Sequence, residues 1–314
     1  MANRQRQNVG RHVADSSAYA AVKPVEIAQT RKRGPWFWIF VIAVVVLVGS
    51  LAALGVIAFS YLQGQQKYDR IADTAGFSPT EATMQVQLAE VSVDWDSLRA
   101  VNDDVVAWVY VPNTEINYPI VQGNDNDYYL TRDFDGDQGW LANYGCVFLD
   151  YRNTFNFQDQ ANFIYGHHMQ DGSMFAAIAE MADQQKFDNA RTVYLLTPQG
   201  NYKLRSFALV HCDANESIVQ TAFANSEDRA AYMQDMMDRS VTHVADSPKA
   251  QDIERAMVFA TCDDYSSGRF LLYCYIEDTT AADLAGDIGL ASEDGQTTGF
   301  ENNVEEVPTS EERK

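Results

Sequence analysis

Cysteine and histidine are both scarce in this chain. Four cysteines, at positions 146, 212, 262 and 274, are spread over 314 residues, too few and too scattered for the disulfide framework of a small secreted domain. Neither CxxC nor HExxH occurs, which removes the usual zinc signatures. Of five histidines, two are adjacent at 167 and 168, and neighbours on an extended backbone point to opposite sides, so they do not converge on one ion. Positive charge is short as well: 23 Lys and Arg stand against 44 Asp and Glu, a net charge of -21. So acidic a chain repels a phosphate backbone, and nucleic acid is not an expected partner. The acidic residues read as a solvated face, and neither a metal nor an organic cofactor is expected.

The charge that is present is unevenly placed. Residues 1–34 hold seven basic and two acidic residues, and residues 277–314 hold eleven acidic and two basic. Between the basic tail and the rest lie 25 residues, 35–59, without a single charge. As a helix this run is long enough to cross roughly 30 Å of hydrocarbon. Trp36 and Trp38 at one end and Tyr61 at the other fit the interfacial aromatic belt, and Arg31, Lys32 and Arg33 are expected to stay on the cytoplasmic side. A cleaved signal peptide has a shorter apolar core, about 7 to 15 residues, and a small-x-small cleavage site, of which no convincing one follows before Gly64. The expected organisation is a cytoplasmic basic tail (1–34), a transmembrane helix (35–62), a helical stalk or packing segment (63–93), an extracellular globular domain (94–277) and an acidic disordered tail (278–314).

Within the globular part, apolar or alternating runs are punctuated by turn residues at 105–111, 116–121, 145–151, 162–166, 192–197, 202–212, 256–262 and 269–277. Pro112-Asn113 and the stretch Pro198 to Asn201 read as hairpin turns. Eight such runs predict a mainly antiparallel sheet, most economically closed as a barrel because closure leaves no exposed edge. Helical spacing predicts an opening helix over 94–100 and two inserts, over 174–182 and 227–240. The methionines of the two inserts read as core packing.

Two stretches carry candidate chemistry. Residues 256–275, AMVFATCDDYSSGRFLLYCY, place Cys262 at the end of one apolar run and Arg269 at the start of the next, across a short polar turn. A free thiol is only slightly ionised at neutral pH and needs a neighbouring base or cation to become a nucleophile. Residues 162–175, NFIYGHHMQDGSMF, offer that base in His167, where an apolar run ends beside Gly166. A guanidinium does not usefully deprotonate, so Arg269 is suited to donating hydrogen bonds to a carbonyl or a developing oxyanion.

These stretches, with VVAWVYVPNTEINYPIVQGNDNDYYL (105–130) and CVFLDYRN (146–153) upstream, resemble a class B sortase over residues 95–276. The resemblance implies an eight-stranded sortase-type barrel with inserted and N-terminal helices, preceded by one membrane helix. It implies a cysteine transpeptidase that cleaves a C-terminal sorting signal of secreted proteins through a thioester. The acyl group then passes to an amine of the lipid-linked cell-wall precursor, or in a pilus-assembling member to a pilin lysine. Cys262 corresponds to the family's nucleophile, His167 to its histidine and Arg269 to its arginine. Asn126, Leu130, Tyr165, His168, Ala260 and Asp263 correspond to groove positions, as do Ile218 and Val219 in the loop after the sixth strand. The same three catalytic residue types also serve a cysteine endopeptidase that hydrolyses, so the residues leave that alternative open. The turn between Cys262 and Arg269 is shorter than in some members, and Cys146 stands where a small or hydroxyl residue is expected. Cys212 and Cys274 are expected to be buried thiols, with a disulfide between them as the alternative.

Overall fold

A computed structural model describes residues 34–77, 88–138, 145–262 and 268–281, with the backbone alone at Cys262. Both tails, most of the expected 63–93 stalk beyond residue 77 and Asp263 therefore lie wholly or largely outside the described residues. The chain divides into two units, residues 1–53 and 54–314. The first contains the N-terminal part of helix α1 (Pro35–Thr74). Its large apolar side chains, among them Trp36, Ile39, Phe40 and Leu47, are exposed. In a membrane protein that is the surface that faces lipid, and this helix, the one apolar enough to span a membrane among the described residues, anchors the chain.

In the second unit α1 continues to Thr74 and then buries Tyr68 and Ile71. Helix α2 (Trp95–Arg99) starts where Asp94 accepts hydrogen bonds from the Ser97 amide (3.0 Å) and hydroxyl (2.7 Å), satisfying an otherwise unpaired helix donor. Eight strands follow: β1 (Val105–Tyr110), β2 (Asn117–Val121), β3 (Val147–Leu149), β4 (Ala161–His167), β5 (Thr192–Thr197), β6 (Gly200–Asp213), β7 (Ala256–Cys262) and β8 (Gly268–Thr279). They close in the order β1-β2-β3-β4-β7-β8-β6-β5, so each has a partner on both sides.

All eight expected strands are present, and pairing is mainly antiparallel as expected. Two contacts are parallel, β2 with β3 and β4 with β7. The third strand is shorter than its apolar run, because Gly145 at φ +55° and Cys146 belong to the bend that leads into it. The strands are buried on both faces, with Trp108, Phe163, Phe207 and Phe259 all essentially inaccessible to solvent.

The inserted helices are α3 (Ala176–Glu180), α4 (Gln184–Asn189) and α5 (Ser226–Asp238). Helix α3 is shorter than its sequence pattern, since Met174 takes φ +55° and cannot belong to a right-handed helix. The buried Met174 instead donates its amide to the Tyr118 hydroxyl at 3.0 Å. Helix α4 has no counterpart in the sequence expectations; its one buried residue is Phe187, too little apolar periodicity to register. Cys212 and Cys274 are free. Cys212 pairs with Arg269 and Cys274 with Ser206, so six residues of β6 separate them and a disulfide is out of reach.

Candidate active site

The barrel register assembles what the sequence scatters. In the parallel pair β4–β7, His167 is the register partner of Cys262, each the last residue of its strand. Neighbouring strands run about 4.8 Å apart, so these two backbones lie side by side although 95 residues separate them in sequence. In the antiparallel pair β7–β8, Ala260 lies opposite Leu271. The paired ladder ends there, and one step further on the Phe270 amide donates to the Thr261 hydroxyl at 3.2 Å, so Cys262 and Arg269 follow at the same end of the two strands. On its other edge Arg269 pairs with Cys212 of β6. Thus His167, Cys262 and Arg269 lie at the same end of three consecutive strands, β4, β7 and β8.

One row below, Phe148, Tyr165, Ala260 and Leu271 are successive partners across β3, β4, β7 and β8. Tyr165 and Ala260, two of the expected groove residues, therefore underlie His167 and Cys262 directly. Both are buried.

Asn126 and Tyr165 are tied together by a carboxylate of the CVFLDYRN stretch that was not among the expected groove residues. Asp150, with no solvent exposure, accepts from the Tyr165 hydroxyl (2.9 Å) and Asn126 Nδ2 (3.1 Å), and from the Nη2 (2.7 Å) and Nε (2.9 Å) of Arg152. Asn126 completes the frame by accepting from the Tyr151 amide at 3.1 Å. Burial alone would push the Asp150 carboxyl up, but the hydrogen bonds from Arg152, Tyr165 and Asn126 outweigh it and hold it below the usual carboxylate range. A depressed folded-state value stabilises the protein above the unfolded value of about 3.9, and that contribution is lost as pH falls below it. Asp150→Ala leaves these donors without their acceptor and is expected to cost about 3 kcal/mol in urea unfolding at neutral pH, less as the pH approaches 3.

His167 is partly buried and has a defined acceptor. Its Nε2 lies 2.5 Å from the carbonyl oxygen of Leu130, so the contribution of Leu130 visible here is a main-chain one. The main chain after the histidines folds back, with the Phe175 amide donating to the His167 carbonyl at 2.9 Å and His168 bridging Met174. A Cβ at Gly166 would come within 2.7 Å of the Phe175 ring, so the glycine beside the histidine lets an aromatic ring close onto the strand.

Ile218 and Val219 lie on the segment leaving β6. It starts near Arg269 and by Thr221 has reached the opposite end of β4, where the Thr221 carbonyl accepts from the Ala161 amide at 3.2 Å. Ile218 is buried and its carbonyl accepts from the Tyr232 hydroxyl at 2.9 Å, so this pair is not gathered with the others.

Three of the four thiols are poorly placed for chemistry. Burial pushes the thiols of Cys146, Cys212 and Cys274 upward, which keeps them protonated and inert.

The comparisons with known proteins agree with this geometry. No protein-family model matches the chain. Over 234 residues it is 33% identical to sortase B of Listeria monocytogenes, spanning 71% of this chain and 93% of that protein. It is 25% identical over 222 residues to sortase B of Staphylococcus aureus, spanning 69% and 89%. The crystal structure of sortase B from Bacillus anthracis superposes with a TM-score of 0.59 at 28% identity, over 69% of this chain and 98% of that one. With a closed eight-stranded barrel behind an apolar anchor helix and this level of identity over nearly the whole of its relatives, the chain belongs to the sortase B family of cysteine transpeptidases.

Proposed function

We propose that Cys262, His167 and Arg269 carry the transpeptidation, and the observation that supports this most is the pairing of His167 with Cys262 at the end of β4 and β7 where β8 begins with Gly268 and Arg269. The Cys262 thiolate attacks the scissile carbonyl carbon of a sorting signal. The resulting oxyanion is held by hydrogen bonds from the Arg269 guanidinium, where a preorganised donor is most effective. As the C–N bond breaks, protonated His167 gives its proton to the leaving amine, and the acyl group remains on Cys262 as a thioester. An incoming amine then attacks the thioester carbon and yields a proton to His167. The Cys262 thiolate leaves, and a new amide joins the anchored protein to its acceptor. With the other three thiols buried and protonated, Cys262 is the remaining candidate for the nucleophile.

The substrate groove in this reading runs past Asn126, Leu130, Tyr165, His168, Ala260 and Asp263, with Ile218 and Val219 on its more distant wall. Asp150 and Arg152 fix the Asn126 and Tyr165 side of it. The basic tail stays in the cytoplasm and the barrel lies outside the cell, which keeps the site near lipid-linked precursors. The acceptor is an amine of the cell-wall precursor.

Incubating the enzyme with a sorting-signal peptide, with and without an amine-bearing acceptor peptide, and identifying products by mass tests this directly. A ligated product that displaces the hydrolysed one is expected. Hydrolysis unchanged by any acceptor would overturn transfer in favour of an endopeptidase, and transfer only to a lysine side chain would assign a pilin acceptor instead.

A further inference from the structure

We propose that the last turns of α1, just beyond the apolar span, position His167: Tyr68 and Lys67 pin the two backbone segments flanking its ring, and the Leu130 carbonyl thereby keeps the neutral ring in its Nε2–H form. This rests on the reading of His167 as the proton-transfer group.

The tautomer follows from elementary chemistry. A carbonyl oxygen only accepts, so at 2.5 Å from Leu130 the Nε2 of His167 must carry the hydrogen. In the neutral ring that leaves Nδ1 as the nitrogen with a lone pair, and hence the one that takes the proton of an incoming amine. An imidazole held in one tautomer is always ready in the required form, whereas a free ring divides between two.

The other wall of the ring is Gly145. Its φ of +55° disfavours any side chain, and a Cβ there would stand 2.8 Å from His167 Cδ2, 2.8 Å from the Leu130 oxygen and 2.9 Å from His167 Nε2. The main chain at Gly145 therefore presses directly on the ring edge and on its acceptor together. What holds Gly145 is Tyr68, whose buried hydroxyl donates to the Gly145 carbonyl at 2.6 Å. The Tyr68 ring also meets Tyr118 edge-on at 5.2 Å, and the Tyr118 hydroxyl takes the amide of Met174, the residue bridging His168.

The segment carrying Leu130 is held by the adjacent residue of α1. Lys67 Nζ lies 2.7 Å from Asp133, 2.8 Å from Asp135 and 3.3 Å from Asp137. Its side chain and that of Asp133 are less than one-fifth exposed, so this clamp is better sheltered than an ordinary surface pair. A helix that merely packed would need only apolar contacts such as that of Ile71. The hydroxyl and the ammonium act at two points whose common neighbour is the histidine.

The test uses the full chain in detergent micelles with 15N-labelled histidine, His167→Gln assigning the His167 signals among five histidines. Long-range 15N–1H correlations are expected to show the Nε2–H tautomer in the wild type. Tyr68→Phe, which removes one oxygen, is expected to give a tautomer mixture and to lower kcat about tenfold at unchanged KM, the size of one lost buried hydrogen bond. Lys67→Met is expected to move both readouts the same way. Asn201→Ala serves as the structural control: Asn201 ties Leu88 and Val91 to the β5–β6 hairpin, so its loss should lower thermal stability and leave the His167 signals unchanged. Wild-type His167 signals in Tyr68→Phe, an Nδ1–H tautomer in the wild type, or an equal shift in Asn201→Ala would each overturn the proposal. A tautomer shift in Tyr68→Phe together with full turnover by His167→Gln would uphold the positioning and overturn instead the role given to His167.

Discussion

Replacing Cys262 by alanine is expected to abolish acyl-enzyme formation completely while leaving the barrel folded. The reaction as proposed has no route that avoids the sulfur, since both the cleavage and the transfer pass through its thioester. The other three thiols cannot substitute, because burial holds each of them protonated. Alanine keeps the main chain through which Cys262 pairs with His167, so truncating the side chain removes no strand pairing. Intact-mass measurement after mixing with a sorting-signal peptide is the direct check: the wild type should gain the mass of the acyl fragment and the variant nothing. Residual turnover near that of the wild type would move the nucleophile elsewhere.

His167→Gln is the second large effect, with kcat expected to fall on the order of 10²- to 10⁴-fold, the range of a lost general acid–base. Glutamine keeps a donor for the Leu130 carbonyl but carries no titrating proton. The leaving amine must then depart without a proton and the incoming amine must attack without a base, so both halves of the cycle slow. The pH–rate profile should also lose the limb that His167 contributes. A variant that keeps the wild-type profile at reduced rate would show that His167 only shapes the site. Arg269 is different in kind: it holds charge and moves no proton, so its loss should depress rate without altering the profile.

Much of this molecule was legible from local pattern. The short apolar runs at 105–111 and 256–262 are local signals, because a strand covered on both faces reads as a continuous apolar stretch bounded by turn residues whatever it pairs with. The span at 35–59 is equally local, a run without charge whose length alone meets the membrane criterion. Where the reading fell short, the missing information was not in the neighbourhood. Met174 looked helical because apolar spacing does not report the sign of φ. Helix α4 was invisible because a six-residue helix burying one phenylalanine has almost no periodicity. Asp150 stood in plain view within CVFLDYRN, yet nothing in an aspartate's identity says that its partners are a tyrosine 15 residues later and an asparagine 24 residues earlier.

The sequence by itself determined the chemical inventory: a membrane anchor, eight strands, and a thiol, an imidazole and a guanidinium each at a strand end. These follow from composition and short-range periodicity, which act over a few residues. Only the tertiary structure decided that His167 and Cys262 are partners in a parallel pair, that Arg269 lies at the same end of the next strand, and that α1 reaches back to brace the histidine. Strand pairing and helix docking are settled by the burial of surfaces far apart in the chain, and a local pattern contains no record of which distant surface covers it.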